Sequence, residues 1–143
     1  MSGEGARLLG GRWNERDGTA TIYLASPEAT CHAEITRLVD RVGTGRVRFP
    51  RTLHTISVDN LRVIDLTDPA RLVAVGLSLA DVEADDRSPC QRVGEAVAYL
   101  GYEGLVAPSA SGAGLVIAAF EPRISLSQLI VLDSSEVSGP PED

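Results

Sequence analysis

Three residues that could do chemistry stand at equal intervals near the start of the chain. Arg12 lies in the glycine-flanked stretch GGRWN, Tyr23 in TIYLAS and Glu34 in a segment with helical periodicity, and each step is eleven residues. A guanidinium binds anions, a tyrosine offers an aromatic face with a polar tip, and a carboxylate stabilises developing positive charge. The pattern favours a site to which three successive local structures each deliver one side chain.

The segments around these residues carry clear signals for a strand and a helix. Residues 19–26 are rich in residue types that favour strands, which predicts a strand carrying Tyr23. Ser26 followed by Pro27 is typical of a helix N-cap and first helical position, so a helix is expected over residues 27–42.

The position of Glu34 on that helix indicates how exposed its carboxylate should be. At about 100° per residue, Glu34 lies about 40° from Leu38, on the shoulder of the apolar stripe. Its carboxylate is therefore expected at the edge of the core and not fully in water.

The remaining predicted elements are short and are bounded by Gly, Pro or Ser. One or two strands are expected over residues 53–60 and 61–66, and further strands at 104–109, 114–120 and 124–132. Helices are expected at 69–75 after an Asp68 cap, within 78–88, and after a Ser88 cap to residue 100. Residues 134–143 are expected to form a flexible tail. Strands and helices without strict alternation predict an α+β fold, a single compact domain over residues 1–143 with helices packed on a mixed or antiparallel sheet.

Composition excludes several classes of function. A net charge of −7 at pH 7 repels phosphate backbones and anionic lipids, so neither nucleic acid nor membrane is expected as a direct partner. Cys31 and Cys90 are too few for a disulfide framework, and the two histidines argue against zinc, so no metal is expected. The N-terminal residues lack the apolar run of a signal peptide, so a cytoplasmic location is expected.

Several stretches of the chain together resemble the RES domain, the toxin half of Xre-RES toxin–antitoxin modules. They are GEGARLLGGRWN, TIYLAS, the helix with Glu34, LRVIDLTDP and GYEGLVAPSA. The resemblance extends from Gly3 to about Val131 and implies a fold similar to the ADP-ribosyltransferases of the diphtheria toxin type. It also implies that NAD is consumed as a substrate, by hydrolysis or phosphorolysis of the nicotinamide N-glycosidic bond.

The same resemblance implies four site residues and their roles. Arg12 would bind the pyrophosphate of NAD, and Tyr23 would offer its ring to the nicotinamide. Glu34 would stabilise the oxocarbenium-like transition state. Ser109, in the motif APSA, would hydrogen-bond the substrate or hold Glu34 in its productive rotamer.

Three features depart from the family pattern and keep alternatives open. A segment with an additional Arg usually precedes GEGAR in the family; here a short form, a start placed late, or replacement by another residue, of which Arg7 is the nearby candidate without matching the motif, would each account for it. Ser111 stands where Arg is common, and Leu115 stands where Asn is expected. Fewer cationic groups would hold the pyrophosphate less firmly, which favours a catalytically silent binding module as one alternative. Another is an ADP-ribosyltransferase that modifies a host protein.

The resemblance also implies partners. An Xre-family antitoxin is expected to cover the site in a hetero-oligomer, and a host protein would be the acceptor if ADP-ribose is transferred. An α+β protein of unrelated function is expected instead if Arg12, Tyr23 and Glu34 do not converge on one cleft.

Overall fold

Five helices and six strands occur in the residues that the computed structural model describes, 1–43, 45 and 47–139. The helices are α1 (Glu4–Leu9), α2 (Glu28–Val42), α3 (Pro69–Ala74), α4 (Leu79–Glu83) and α5 (Ser88–Tyr99). The strands are β1 (Thr21–Ser26), β2 (Arg51–Val58), β3 (Val63–Asp65), β4 (Gly104–Pro108), β5 (Leu115–Phe120) and β6 (Leu129–Val137).

Four of the strands form a mixed sheet in the order β1–β5–β4–β3. β5 runs antiparallel to both β1 and β4, whereas β3 runs parallel to β4. β2 and β6 form a separate antiparallel pair. The prediction of an α+β fold with helices packed on a mixed sheet is confirmed.

The hydrophobic core divides along the two faces of the mixed sheet. Alternate residues of β5 point to opposite faces. Ala118 and Phe120 pack in the larger core, which also holds Trp13 and residues of α3, α4 and α5. Ala119 packs on the other face in a smaller cluster with Ile22 and Leu129, and Leu129 connects the β2–β6 pair to that cluster.

Two predicted helix starts were wrong by one residue. Ser26 is the last residue of β1, where it pairs with β5, and Pro27 occupies the N-cap position of α2. Ser88 is the first helical residue of α5, and its hydroxyl donates to the Asp86 carboxylate instead of capping the helix. Asp68 does cap α3 as predicted, since its carboxylate accepts a backbone N–H at 2.8 Å.

The C-terminal strand begins and ends later than the sequence predicted. Two short 3₁₀ turns, Glu121–Arg123 and Leu126–Gln128, precede β6. Residues 134–137, expected in a flexible tail, pair with β2, so that expectation was wrong for them. Residues 140–143 of the predicted tail lie outside the described residues, and one domain over the whole chain stays a prediction. None of the helices in the described ranges has the length and hydropathy that a membrane span requires.

Candidate active site

Glu34 and Ser109 are in direct contact. Glu34 lies in the second turn of α2, and Ser109 follows the last residue of β4. The Ser109 hydroxyl donates to Glu34 Oε1 at 2.5 Å and accepts the backbone N–H of Ser111 at 3.1 Å. Ser109 is only 1% exposed, and its Oγ also lies 2.7 Å from Ser111 Oγ, so the hydroxyl can donate its one proton to the Glu34 carboxylate and accept from Ser111. The arrangement holds the half-buried Glu34 side chain in one rotamer.

Tyr23 supports the segment that carries Arg12, which we call the arginine loop (residues 10–19). The Tyr23 hydroxyl accepts the backbone N–H of Trp13 at 2.9 Å and donates to Asn14 Oδ1 at 2.6 Å. Asn14 is fully buried, and its amide donates to the carbonyl oxygen of Ala6 in α1 at 2.7 Å. Burial raises the pKa of Tyr23 well above its ordinary value, so the phenol remains a donor. The hydroxyl thus fixes the arginine loop.

Tyr23→Phe should lower the free energy of unfolding by about 1–3 kcal/mol, because it leaves the backbone N–H of Trp13 and the buried Oδ1 of Asn14 without a hydrogen-bond partner. Urea unfolding followed by tryptophan fluorescence measures this difference. Tyr99→Phe is the matched control, since Tyr99 is 85% exposed and its hydroxyl stands in water. Equal stability of Tyr23→Phe and the natural chain would contradict the role given to this hydroxyl.

Arg12 lies near Glu34 with its guanidinium partly withdrawn from water. Its Nη1 donates to the carbonyl oxygen of Ala84 at 2.6 Å. Burial is the main cause that lowers the pKa of Arg12, and the positive charge of Arg37 adds to it, whereas Glu34 acts in the opposite direction. An arginine remains protonated despite such a shift. The site therefore holds a fixed positive charge close to a fixed carboxylate.

One face of α5 binds the arginine loop from the other side. Arg87, Gln91 and Glu95 are spaced four residues apart, so their side chains lie along one line. Arg87 and Gln91 donate to the carbonyl oxygens of Gly10 and Gly11, at 3.2 and 2.9 Å. Glu95 accepts two backbone N–H groups and a hydroxyl further along the loop, at 2.9, 3.0 and 2.6 Å. The loop is thus held by side chains before any ligand binds.

The structure brings the four predicted site residues into one region, although in different ways. Glu34 touches Ser109, Arg12 interacts with Glu34 electrostatically, and Tyr23 is connected to Arg12 through the backbone of the arginine loop. A cavity of about 600 Å³ lies between α5 and the Glu121–Arg123 turn, and none of the four predicted site residues is part of its lining. In the described part of the chain, no group of three or more His, Cys, Asp or Glu side chains could hold a metal ion.

Such a region can bind an anionic ligand and stabilise positive charge beside it. Arg12 supplies the cation, and Glu34, held by Ser109, supplies a carboxylate that needs no reorganisation during a reaction. Sequence reasoning did not find Asn14, Arg37, Arg87 and Gln91. Arg37, Arg87 and Gln91 donate to backbone carbonyls 46, 77 and 80 positions away, so composition and spacing give no signal for these contacts. Asn14 bonds to Ala6 and Tyr23, within ten positions, and its place in GGRWN beside Arg12 was the signal that could have found it.

Residues 1–136 match the RES domain, and the chain belongs to that family. The resemblance of the N-terminal and APSA motifs to RES domains is thereby confirmed. The chain is 40% identical over 141 residues to the NAD(+) phosphorylase MbcT of Mycobacterium tuberculosis, an alignment that covers 96% of this chain and 76% of that protein. MbcT of Mycobacterium bovis gives the same figures.

A solved structure shows the same fold. The crystal structure of the M. tuberculosis MbcT–MbcA toxin–antitoxin complex is similar to this chain with a TM-score of 0.85 and 40% sequence identity. The match covers 96% of this chain and 77% of the solved one.

Proposed function

We propose that this chain is the toxin of a toxin–antitoxin pair and that it consumes NAD by cleaving the nicotinamide N-glycosidic bond. The observation that carries the proposal is the Glu34 carboxylate held by buried Ser109 near the half-buried Arg12. The 40% identity to an NAD(+) phosphorylase supports the same activity.

Glu34 would act on the ribose next to the nicotinamide. Cleavage of the C1″–N bond passes through an oxocarbenium-like state, in which positive charge develops on the sugar ring. A carboxylate already in position stabilises that charge in the transition state more than in the ground state, which is what raises the rate. Ser109 acts as a positioning residue, because its hydrogen bond keeps Oε1 in place.

Arg12 and Tyr23 would serve binding. A guanidinium matches two oxygens of a pyrophosphate at once, which favours Arg12 as a ligand of NAD. The Tyr23 hydroxyl is already bonded to the arginine loop, so contact with the nicotinamide would be made by the ring, which also packs against the larger core. Tyr23 therefore contributes by fixing Arg12, and ring contact with the substrate remains part of the proposal.

Inorganic phosphate is the proposed acceptor. The electron pair of the C1″–N bond leaves with nicotinamide, which departs neutral, and a phosphate oxygen forms the new bond to C1″. A proton from the phosphate is released to solvent. The products are nicotinamide and ADP-ribose 1″-phosphate, and water in place of phosphate would give ADP-ribose.

The purified chain, incubated with NAD with and without inorganic phosphate, tests this proposal. We expect NAD loss that requires phosphate and yields ADP-ribose 1″-phosphate, identified by mass spectrometry. Equal loss without phosphate would assign hydrolysis. Loss only after a protein is added, with a mass gain on that protein, would assign ADP-ribosyltransfer. No loss under any condition from folded protein would favour the silent binding module.

We propose in addition that an antitoxin, of the Xre family, binds this chain in a hetero-oligomer in the cytoplasm. The support is that the similar M. tuberculosis structure is a toxin–antitoxin complex. The product of the adjacent gene should co-elute with the chain in size-exclusion chromatography and stop NAD loss. Separate elution with undiminished NAD loss would contradict the partnership.

A further inference from the structure

Three arginine side chains meet around the segment between α4 and α5. Arg12 and Arg37 donate to the carbonyl oxygens of the adjacent residues 84 and 83, at 2.6 and 3.3 Å. Arg87 follows three residues later and donates to a carbonyl of the arginine loop at 3.2 Å. Arg37 lies one helical turn after Glu34 on α2, and both residues act electrostatically on Arg12, which in turn acts on Arg87.

The three positive charges have no carboxylate partner in the described part of the chain. The ion pairs described there involve Arg7, His32 and Arg71 instead. Asp86 lies near Arg12 without forming an ion pair with it in the described residues; its carboxylate accepts the hydroxyl and backbone N–H of Ser88, at 2.8 and 3.0 Å.

Glu34 likewise acts on Arg12 electrostatically, without forming an ion pair with it in the described residues. Cys90 is fully buried beside Arg12, and burial raises the pKa of its thiol to about 11, so it carries no negative charge at neutral pH. Burial and the positive charges of Arg41 and Arg12 lower the pKa of Arg87, which indicates that these cations repel one another. Half-buried like charges cost free energy unless an anion binds among them. In a chain of net charge −7, such a cluster marks a site for an anion.

We propose that Arg12, Arg37 and Arg87 together bind a phosphate group of the reactants, which makes Arg37 and Arg87 substrate-binding residues. Each guanidinium carries several N–H donors in a planar fork and uses one of them on a backbone carbonyl. The remaining donors suit the tetrahedral oxygens of phosphate, which guanidinium groups bind with paired hydrogen bonds.

Two phosphate groups come near the reacting ribose in the proposed reaction, and the assignment to either of them rests on the proposed function. One is the pyrophosphate of NAD, joined to that ribose through C5″. The other is the inorganic phosphate that attacks C1″. Both reactants present a phosphate oxyanion within reach of Glu34. Kinetics measured separately for NAD and for inorganic phosphate show which of the two the arginines bind.

Arg37→Gln and Arg87→Gln test the proposal, with Arg71→Gln as the control for the same change in net charge. Arg71 is exposed and pairs with Asp65 at 3.0 Å. Isothermal titration with inorganic phosphate and with ADP-ribose measures binding without turnover. Steady-state kinetics give KM for NAD and for phosphate separately. We expect each of the two variants to bind one of these ligands about tenfold more weakly than the natural chain does. The control should bind both ligands as the natural chain does.

The ligand whose KM or affinity changes in the variants identifies the phosphate group that the arginines bind. A raised KM for NAD with weaker ADP-ribose binding identifies the pyrophosphate, and a raised KM for phosphate alone identifies the acceptor. Unchanged binding of both ligands in folded Arg37→Gln and Arg87→Gln would overturn the proposal. Because Arg87 also holds the arginine loop, Arg37→Gln decides the outcome if Arg87→Gln does not fold. The natural chain could also bind these ligands without turning over NAD. If the variants then lost that binding, the phosphate site would be upheld and the proposed function refuted.

Discussion

Glu34→Gln should lower kcat for NAD cleavage by about 10²–10³-fold while the chain stays folded. The amide has nearly the shape of the carboxylate and can still accept the Ser109 hydroxyl, but it carries no charge to stabilise the oxocarbenium-like state. The NAD-binding residues remain, so KM should change little. Initial rates of NAD loss at saturating substrate measure the effect.

Two further variants make this result specific. Ser109→Ala removes the hydrogen bond that fixes Glu34 but keeps the charge, so its kcat should lie between those of the natural chain and Glu34→Gln. Glu28→Gln, on the same helix, changes an exposed carboxylate that pairs with His32 and should leave kcat unchanged. If Glu34→Gln kept the natural rate, Glu34 could not have the catalytic role given to it.

Gly94→Ala should destabilise the fold by about 3 kcal/mol and lower Tm by roughly 10 °C. Gly94 is buried in α5 where the helix touches the arginine loop, and an added Cβ would overlap the backbone carbonyl of Trp13. That carbonyl cannot move freely, because the Trp13 side chain is 1% exposed and its N–H is bonded to Tyr23. Thermal unfolding followed by circular dichroism measures the loss.

Gly5→Ala is the matched control for this substitution. Gly5 is also helical, but an added Cβ would meet nothing within 4 Å. Alanine favours a helix over glycine by about 1 kcal/mol at either position, so Gly5→Ala should be as stable as the natural chain or slightly more so. Equal Tm values for Gly94→Ala and Gly5→Ala would show that α5 and the arginine loop are not in close contact.

The sequence predicted those parts of the fold whose determinants are local. The strand around Tyr23, the helix that carries Glu34 and the cap at Asp68 all follow from residue types within a few positions. Predictions failed where a distant segment decides the structure. Ser26 extends β1 because it pairs with β5, and residues 134–137 are in a strand because they pair with β2.

The contacts of the candidate site also include some that the sequence suggested and some that it did not. Motif resemblance suggested the hydrogen bond between Ser109 and Glu34, and the structure contains it although 75 positions separate the two residues. It did not suggest Arg37 and Arg87, whose partners are backbone carbonyls 46 and 77 positions away. The expectation of fewer cations came from the additional Arg of the family and from Ser111, and it stays a prediction. No local pattern in the sequence places Arg37 and Arg87 near Arg12.

Release of free nicotinamide distinguishes cleavage of the N-glycosidic bond from any other loss of NAD. Proton NMR of the purified chain with NAD and phosphate resolves free nicotinamide from the bound group and follows both during the reaction. We expect one nicotinamide for each NAD lost, and almost none over the same time with Glu34→Gln. Intact NAD, or NAD lost through cleavage of its pyrophosphate into two mononucleotides, would contradict it.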